Sequence, residues 1–342
     1  MESKKTSRAR LLWLIPLILG TIYIIRKENK ELPYSSITGR IFGTIYNITY
    51  QSDQDLQAGV DEELRRFDAS LSPFNELSVI SKINRNEDIE ADTLFRNVFN
   101  RSMEISGETD GAFDITIAPL ANAWGFGFKK GSWPNDAMID SLLQLTDYRK
   151  VTLQDGKVIK EDPRIMISCS AIAKGYATDI IAQYLDKQGI HNYMVDIGGE
   201  QVLKGKNPRG EPWRIGISKP TDDSLAINQE LQLVLQFSDV GIATSGNYRN
   251  YYYKDGKKYA HTIDPRTGYP VQHTLLSATV IAADCMTADA LATAFMVMGL
   301  EESTAFANAH PEIGACFIYS DEQGEYQTYL TDNMKKYVKN PL

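Results

Sequence analysis

Hairpin signals and amphipathic helices follow one another in this chain without the strict strand–helix–strand alternation that a doubly wound fold requires. Residues 40–50 read as a strand. Residues 151–159 read as a hairpin around Asp155-Gly156, and residues 250–259 as another turning at Asp255-Gly256. Apolar residues at helical spacing mark 53–67, where Leu56, Val60, Leu64 and Phe67 share a face, and then 92–105 and 135–145. Residues 173–188 read as a helix leading into a strand at 193–196. Residues 229–237 form a further strand, and Leu275–Ala282 is an apolar one. Helices at 287–298 and 301–309 and strands at 313–319 and 326–330 close the chain. This order predicts an α+β fold, with largely antiparallel sheets and packed helices. No repeat or low-complexity stretch divides residues 34–342, which read as one unit.

Charge separates a short leader from that unit. The whole chain carries 44 acidic and 36 basic residues, net −8. Residues 1–30 hold seven bases and two acids, net +5, which leaves 29 bases and 42 acids beyond them, net −13. A body this acidic is a poor nucleic-acid binder, because phosphate neutralisation needs clustered lysine and arginine. In the leader, Lys4, Lys5, Arg8 and Arg10 precede the uncharged apolar run 11–25, and Arg26 and Lys27 end it. A basic stretch, an apolar stretch and no following small-residue cleavage site predict an uncleaved signal anchor over residues 1–30, with a cleaved signal peptide and a buried soluble helix as the alternatives. The positive-inside rule then predicts a single-pass anchor in the inner membrane, with the C-terminal body on the periplasmic side. Three cysteines without CxxC spacing exclude a disulfide framework and a zinc knuckle.

Four clusters carry chemistry. Thr287-Ala-Asp-Ala-Leu-Ala-Thr293 places Asp289 and Thr293 at i and i+4 on one helix face, an oxygen pair suited to Mg²⁺. An Asp favoured by the helix dipole explains the same pattern. Residues 165–168 read as a buried strand feeding the helix start at Ser170–Asp179, where backbone N–H groups and Lys174 could meet phosphate. A solvated lysine on a first turn is the alternative. Gly111-Ala112-Phe113-Asp114 and Trp124 could line a flat ring, or plug a core turn. His261 stands ahead of the Asp264-Pro265 and Thr267-Gly268 turns and could act as a general base near pH 7, or serve structure alone. The turns Asp196-Ile-Gly-Gly-Glu200 and Ala243-Thr-Ser-Gly-Asn247 would let backbone approach a ligand.

The order of these stations is more specific than any one of them. From Phe42-Gly43-Thr44, through Ser72-Pro73-Phe74, Ser78–Asn84, Gly111–Asp114, Ala171–Gly175, Asp196–Gly199 and Thr244–Gly246, to His261–Gly268 and Ala288–Thr293, the chain resembles the ApbE-type FAD:protein FMN transferases. The resemblance implies a Mg²⁺-dependent enzyme. It would transfer the FMN moiety of FAD to a Thr or Ser hydroxyl of an acceptor flavoprotein as a phosphoester and release AMP. Acceptors would be subunits of membrane redox complexes such as the sodium-pumping NADH:quinone oxidoreductase (Nqr) and its Rnf relatives. By position, Phe42 and Phe74 would contact the flavin, and Ala112, Phe113 and Asp114 would line FAD. Lys174 would meet the pyrophosphate or nearby flavin atoms, and Ile263 would pack on the cofactor. Asp289, Thr293 and the carbonyl of Ala171 would bind Mg²⁺. His261 would orient or deprotonate the acceptor hydroxyl, with Asp264 as the alternative. Ser168 replaces an aspartate common in relatives, and Ala292 an acid found in some. An FAD pyrophosphatase and a non-catalytic exported flavin-binding protein are the competing readings.

Overall fold

The computed structural model describes residues 32–128, 133–220, 231–247, 251–254 and 257–339. The expected leader at 1–30 and the Asp255-Gly256 turn lie outside them. No helix among the described residues is long and apolar enough to cross a membrane.

The chain opens with a hairpin, β1 (Tyr34–Ile41) and β2 (Thr44–Gln51), where a single strand at 40–50 was expected. The break falls at Phe42-Gly43, both at positive φ (52° and 74°), the backbone of a tight hairpin turn. Helices α1 (Gln57–Leu71), α2 (Val79–Asn84) and α3 (Thr93–Glu108) follow. Asp92 caps α3 by accepting from the Phe95 N–H. Two short helices, α4 (Ala118–Ala123) and α5 (Asp136–Leu143), precede the hairpin β3 (Val151–Gln154) and β4 (Lys157–Lys160), with its turn at Asp155-Gly156 as expected.

Residues 165–168 are not a strand. Their backbone groups bond outside any strand: the Ile165 N–H donates to the Asp162 carbonyl, Asn84 Nδ2 donates to the Ile167 carbonyl, the Ile167 N–H donates to Asn84 Oδ1, and the Ser168 N–H donates to the Ile115 carbonyl. From there the chain enters α6 (Ala173–Lys187), then β5 (Tyr193–Ile197), β6 (Glu200–Lys204), β7 (Trp213–Ser218), β8 (Leu231–Phe237), β9 (Val240–Gly246), β10 (Tyr251–Lys254), β11 (Lys257–Ala260) and β12 (Leu275–Ala282). The last elements are α7 (Cys285–Ala309), β13 (Gly314–Ser320), β14 (Tyr326–Leu330), α8 (Asp332–Lys335) and β15 (Val338–Lys339). Helix α7 joins the two helices expected at 287–298 and 301–309 across a kink at Gly299 (φ 78°).

Eight strands form the main sheet in the order β1-β2-β5-β6-β9-β12-β13-β14, and every pairing in it is antiparallel. Strand β12 is covered on both faces, which explains its unbroken apolar run. Ala278, Val280 and Ala282 point into the larger core beneath α6 and α7, whereas Ile281 joins a second core with Trp213, Leu235 and Phe237 of β7 and β8. The α+β class and antiparallel character are as the sequence predicts.

Two glycines let α7 approach its neighbours. A Cβ on Gly175 of α6 would lie 2.3 Å from the Cys285 carbonyl oxygen and 2.8 Å from Asp289 Cβ. A Cβ on Gly241 of β9 would lie 2.3 Å from the Cys285 nitrogen. The first turn of α7 is thus seated between a helix and a strand that both lack side chains there. In an open helix, Gly→Ala stabilises by roughly 0.5–1 kcal/mol. At Gly175 the sign should reverse: Gly175→Ala should lose about 1–3 kcal/mol to overpacking and lower the melting temperature by several degrees. A raised melting temperature would refute this close contact.

Candidate active site

A cavity of about 720 Å³ opens between the 112–128 segment, the start of α6, the turn into β6, strand β7, the end of β9, the 261–265 loop and one face of α7. Its size lies in the range of small-molecule and cofactor sites. The helices that floor it are fastened by an exchange of carboxylates. Asp179 of α6 accepts the first two N–H groups of α7, from Cys285 at 2.9 Å and Met286 at 2.8 Å. In return Asp289 of α7 accepts the Gly175 N–H of α6 at 2.9 Å. Helix α6 has no side-chain cap of its own, so Asp289 serves an orphan donor across the interface. Asp284 completes the start of α7 by accepting from the Thr287 N–H at 2.7 Å.

Three charges meet at the cavity wall. Lys174 pairs with Glu200 Oε1, and Asp289 lies near enough to act on both electrostatically. Burial opposes the Lys174 charge, but the two carboxylates outweigh it and hold the ammonium pKa above its ordinary value. Burial pushes the Glu200 and Asp289 carboxyls up, and Lys174 pulls both back. Glu200 Oε2 is buried with no hydrogen-bond partner. One turn along α7 from Asp289, the Thr293 hydroxyl lies 3.3 Å from the Ser245 hydroxyl of β9.

Of the residues singled out from sequence, the cavity gathers Phe74, Ala112, Phe113, Asp114, Ser168, Ala171, Lys174, His261, Ile263, Asp289 and Thr293. Phe74 is 78% exposed at the rim. Phe42 is not in the wall; its turn position packs the ring on Phe67, 5.3 Å between centroids. Trp124 is buried in a small satellite core with Leu120, Ile139 and Ile263, and its indole donates to the Gly268 carbonyl, so it offers no ring face to a ligand. The Asp114 carboxylate accepts from the Thr116 N–H, the Thr116 hydroxyl and the Tyr148 N–H. Those bonds to its own chain fix the carboxylate in the cavity wall. Asp264 is occupied in the same way, by Arg266 Nε at 3.0 Å and Nη2 at 3.0 Å. His261, edge-on to Phe126 at 6.3 Å, is the base candidate that faces the cavity.

Among the described residues no three His, Cys, Asp or Glu side chains gather as a metal centre. Along the α7 side of the cavity the oxygen donors are the Asp289 carboxylate, the hydroxyls of Thr293 and Ser245, and the backbone at Ala171. That all-oxygen set suits a hard cation that keeps water and substrate ligands. The unpartnered Glu200 oxygen and the excess of carboxylates over ammonium point the same way. Sequence reading passed over Glu200 and Asp179. Asp179 lies four residues past Gly175, as Asp289 lies four past Cys285, and that matched spacing was the available signal.

The ApbE family model matches residues 42–317. The chain belongs to the ApbE family. Within the family it is similar to the FAD:protein FMN transferase of Vibrio cholerae, 35% identical over 337 residues, covering 95% of this chain and 98% of that one. The corresponding protein of Haemophilus influenzae is 35% identical over 291 residues, covering 80% and 83%. Among solved ApbE structures, the flavin transferase ApbE from Vibrio cholerae superposes with a TM-score of 0.81 at 36% identity, covering 89% of this chain and 99% of that one. The apo flavinyl transferase ApbE of Pseudomonas stutzeri gives 0.80 at 30% identity, covering 92% and 99%.

The α6–α7 clasp has a pH signature. Burial pushes the Asp179 carboxyl up to about 7, against the two helix N–H donors that favour its charged form. The folded chain therefore holds this proton more tightly than the unfolded chain. Its contribution to stability is fully present below about pH 4 and is lost as pH rises toward 7. Asp179→Asn removes the titration and leaves one acceptor in place of two. At pH 5 this variant should be about 1–3 kcal/mol less stable than the wild type, and the gap should narrow toward pH 7.5. Melting curves across that range check it; a gap that widens would contradict the assignment.

Proposed function

We propose that this cavity binds FAD and transfers its FMN moiety to a threonine or serine hydroxyl of an acceptor flavoprotein, forming a phosphoester and releasing AMP. The reading is carried by one observation: Asp289, Thr293 and Lys174 line a single cavity that His261 also lines. Family membership supplies the reaction class, and the wall supplies groups suited to it.

Asp289 and Thr293, with the Ala171 carbonyl, would hold Mg²⁺. When bound, the ion would neutralise charge on the pyrophosphate and on the departing AMP. Lys174 offers its ammonium to a phosphate oxygen, and 35% of its side-chain surface remains accessible for that contact. The acceptor hydroxyl attacks the phosphorus that bears riboflavin. A new P–O bond forms, the P–O bond to the AMP phosphate breaks, and the hydroxyl proton passes to His261. Ile263, 6% exposed and in the satellite core, gives the cofactor an apolar surface to pack on.

The acceptor in this reading is a subunit of a membrane redox complex of the Nqr or Rnf type. Residues 1–30 anchor the enzyme in the inner membrane, with the catalytic unit on the periplasmic side. The basic-flanked apolar run supports that placement.

Incubation with FAD, Mg²⁺ and a candidate acceptor tests the activity. Fluorescent acceptor on a denaturing gel, with AMP in solution, is the expected result. AMP without labelled protein would make the enzyme a pyrophosphatase, and neither product would make it a binder. Asp289→Ala should abolish both transfer and the response to Mg²⁺; full transfer would refute the metal assignment. His261→Ala should keep FAD affinity and transfer about 10²–10⁴-fold more slowly, the usual worth of a general base. An unchanged rate would remove His261 from the reaction.

A further inference from the structure

Glu200 has a position that the proposed reaction does not use. It is the first residue of β6, directly after Gly198-Gly199, a turn with both residues at positive φ (66° and 102°). That turn swings the β6 start to the cavity wall opposite the first turn of α6. Only 3% of the residue is exposed. One carboxylate oxygen holds the Lys174 ammonium, and the other has no hydrogen-bond partner at all. A buried carboxylate with an empty oxygen is destabilising on its own terms. Removing its charge would therefore be expected to help the fold, unless the charge serves the site.

Lys174 has two carboxylates within its electrostatic reach, Glu200 and Asp289. It is paired with Glu200, whereas the Asp289 carboxylate meets the Gly175 N–H. With the lysine held on the β6 side, the wall carries two negative charges and one positive, and Asp289 is left open to a cation other than the ammonium.

We infer that Glu200 is the residue that keeps Lys174 off Asp289, and so makes the Asp289–Thr293 wall receptive to a divalent cation. Glu200 is a positioning residue in this role: it acts through the lysine and touches neither the metal nor the reacting atoms. The inference rests on the metal assignment made above. Without Glu200, the ammonium turns to its remaining carboxylate and occupies the place the cation would take. Two effects then add, since the wall also loses its excess negative charge.

The experiment is a Mn²⁺ titration of the folded full chain without nucleotide at pH 8, read from the electron paramagnetic resonance signal of free Mn²⁺. Glu200→Gln preserves shape and removes charge, and should weaken Mn²⁺ binding at least about tenfold, as expected for an opposing charge within a few ångströms. The decisive variant adds Lys174→Met to Glu200→Gln. This removes the competing ammonium, restores the net charge of the wall, and should return Mn²⁺ affinity to within about threefold of the wild type. A misfolded Glu200→Gln protein would not regain binding on a second substitution. Equal Mn²⁺ affinity in the wild type and Glu200→Gln would overturn the inference alone, as would weak binding that the second substitution fails to rescue. Absence of Mn²⁺ binding in the wild type would overturn the metal assignment and the inference together.

Discussion

The exchange of carboxylates between α6 and α7 is the constraint on which the site depends. Each helix hands N-terminal amides to an aspartate in the first two turns of the other: Cys285 and Met286 to Asp179, Gly175 to Asp289. Buried carboxylates are tolerable there because helix N-termini supply donors and a favourable dipole. The exchange needs backbones in near contact, which Gly175 and Gly241 allow. Once the two helices are locked in this register, Lys174, Asp289 and Thr293 have no freedom to drift apart. The geometry of the reacting wall is therefore a by-product of how two helices satisfy their own ends.

The same arrangement reconciles an acidic protein with an anionic substrate. The unit beyond residue 30 carries a net charge of −13, so its overall charge opposes the approach of an anionic dinucleotide. Affinity has to come from a few local groups in a confined, partly dry cavity, where each charge counts for more than it would at the surface. Thr244 shows how the polar rim is ordered around them: its hydroxyl pairs with that of Thr279 at 2.9 Å, which fixes the end of β9 beside the site.

Features encoded by local pattern were legible in the sequence. The apolar run Leu275–Ala282 announced a strand, Asp155-Gly156 announced its hairpin, and the order of small motifs announced the family. Features that depend on a distant partner were not. Nothing local distinguishes Phe42-Gly43 from the middle of a strand until the chain turns there with positive φ. Residues 165–168 have a strand's composition, but their hydrogen bonds run to the Asp162 carbonyl, the Asn84 side chain and the Ile115 carbonyl. Strand β7 went unread because its alternation is interrupted by Gly216, against which Leu231 of β8 packs. In the site, the i, i+4 relation of Asp289 and Thr293 was visible. The claims of Thr116 and Tyr148 on Asp114, of Arg266 on Asp264 and of Glu200 on Lys174 were set by tertiary contacts.

The cavity has walls of unequal strength. One is the main sheet with α6 and α7, tied into the largest core of the molecule. The other leans on Leu120, Trp124, Ile139 and Ile263, a satellite core with few members of its own. Opening that satellite requires only a fraction of the free energy of global unfolding. Local opening of the cavity should therefore cost less on its α4–α5 side than at the clasped helices, which sets the flexible flank apart from the wall that carries the charges.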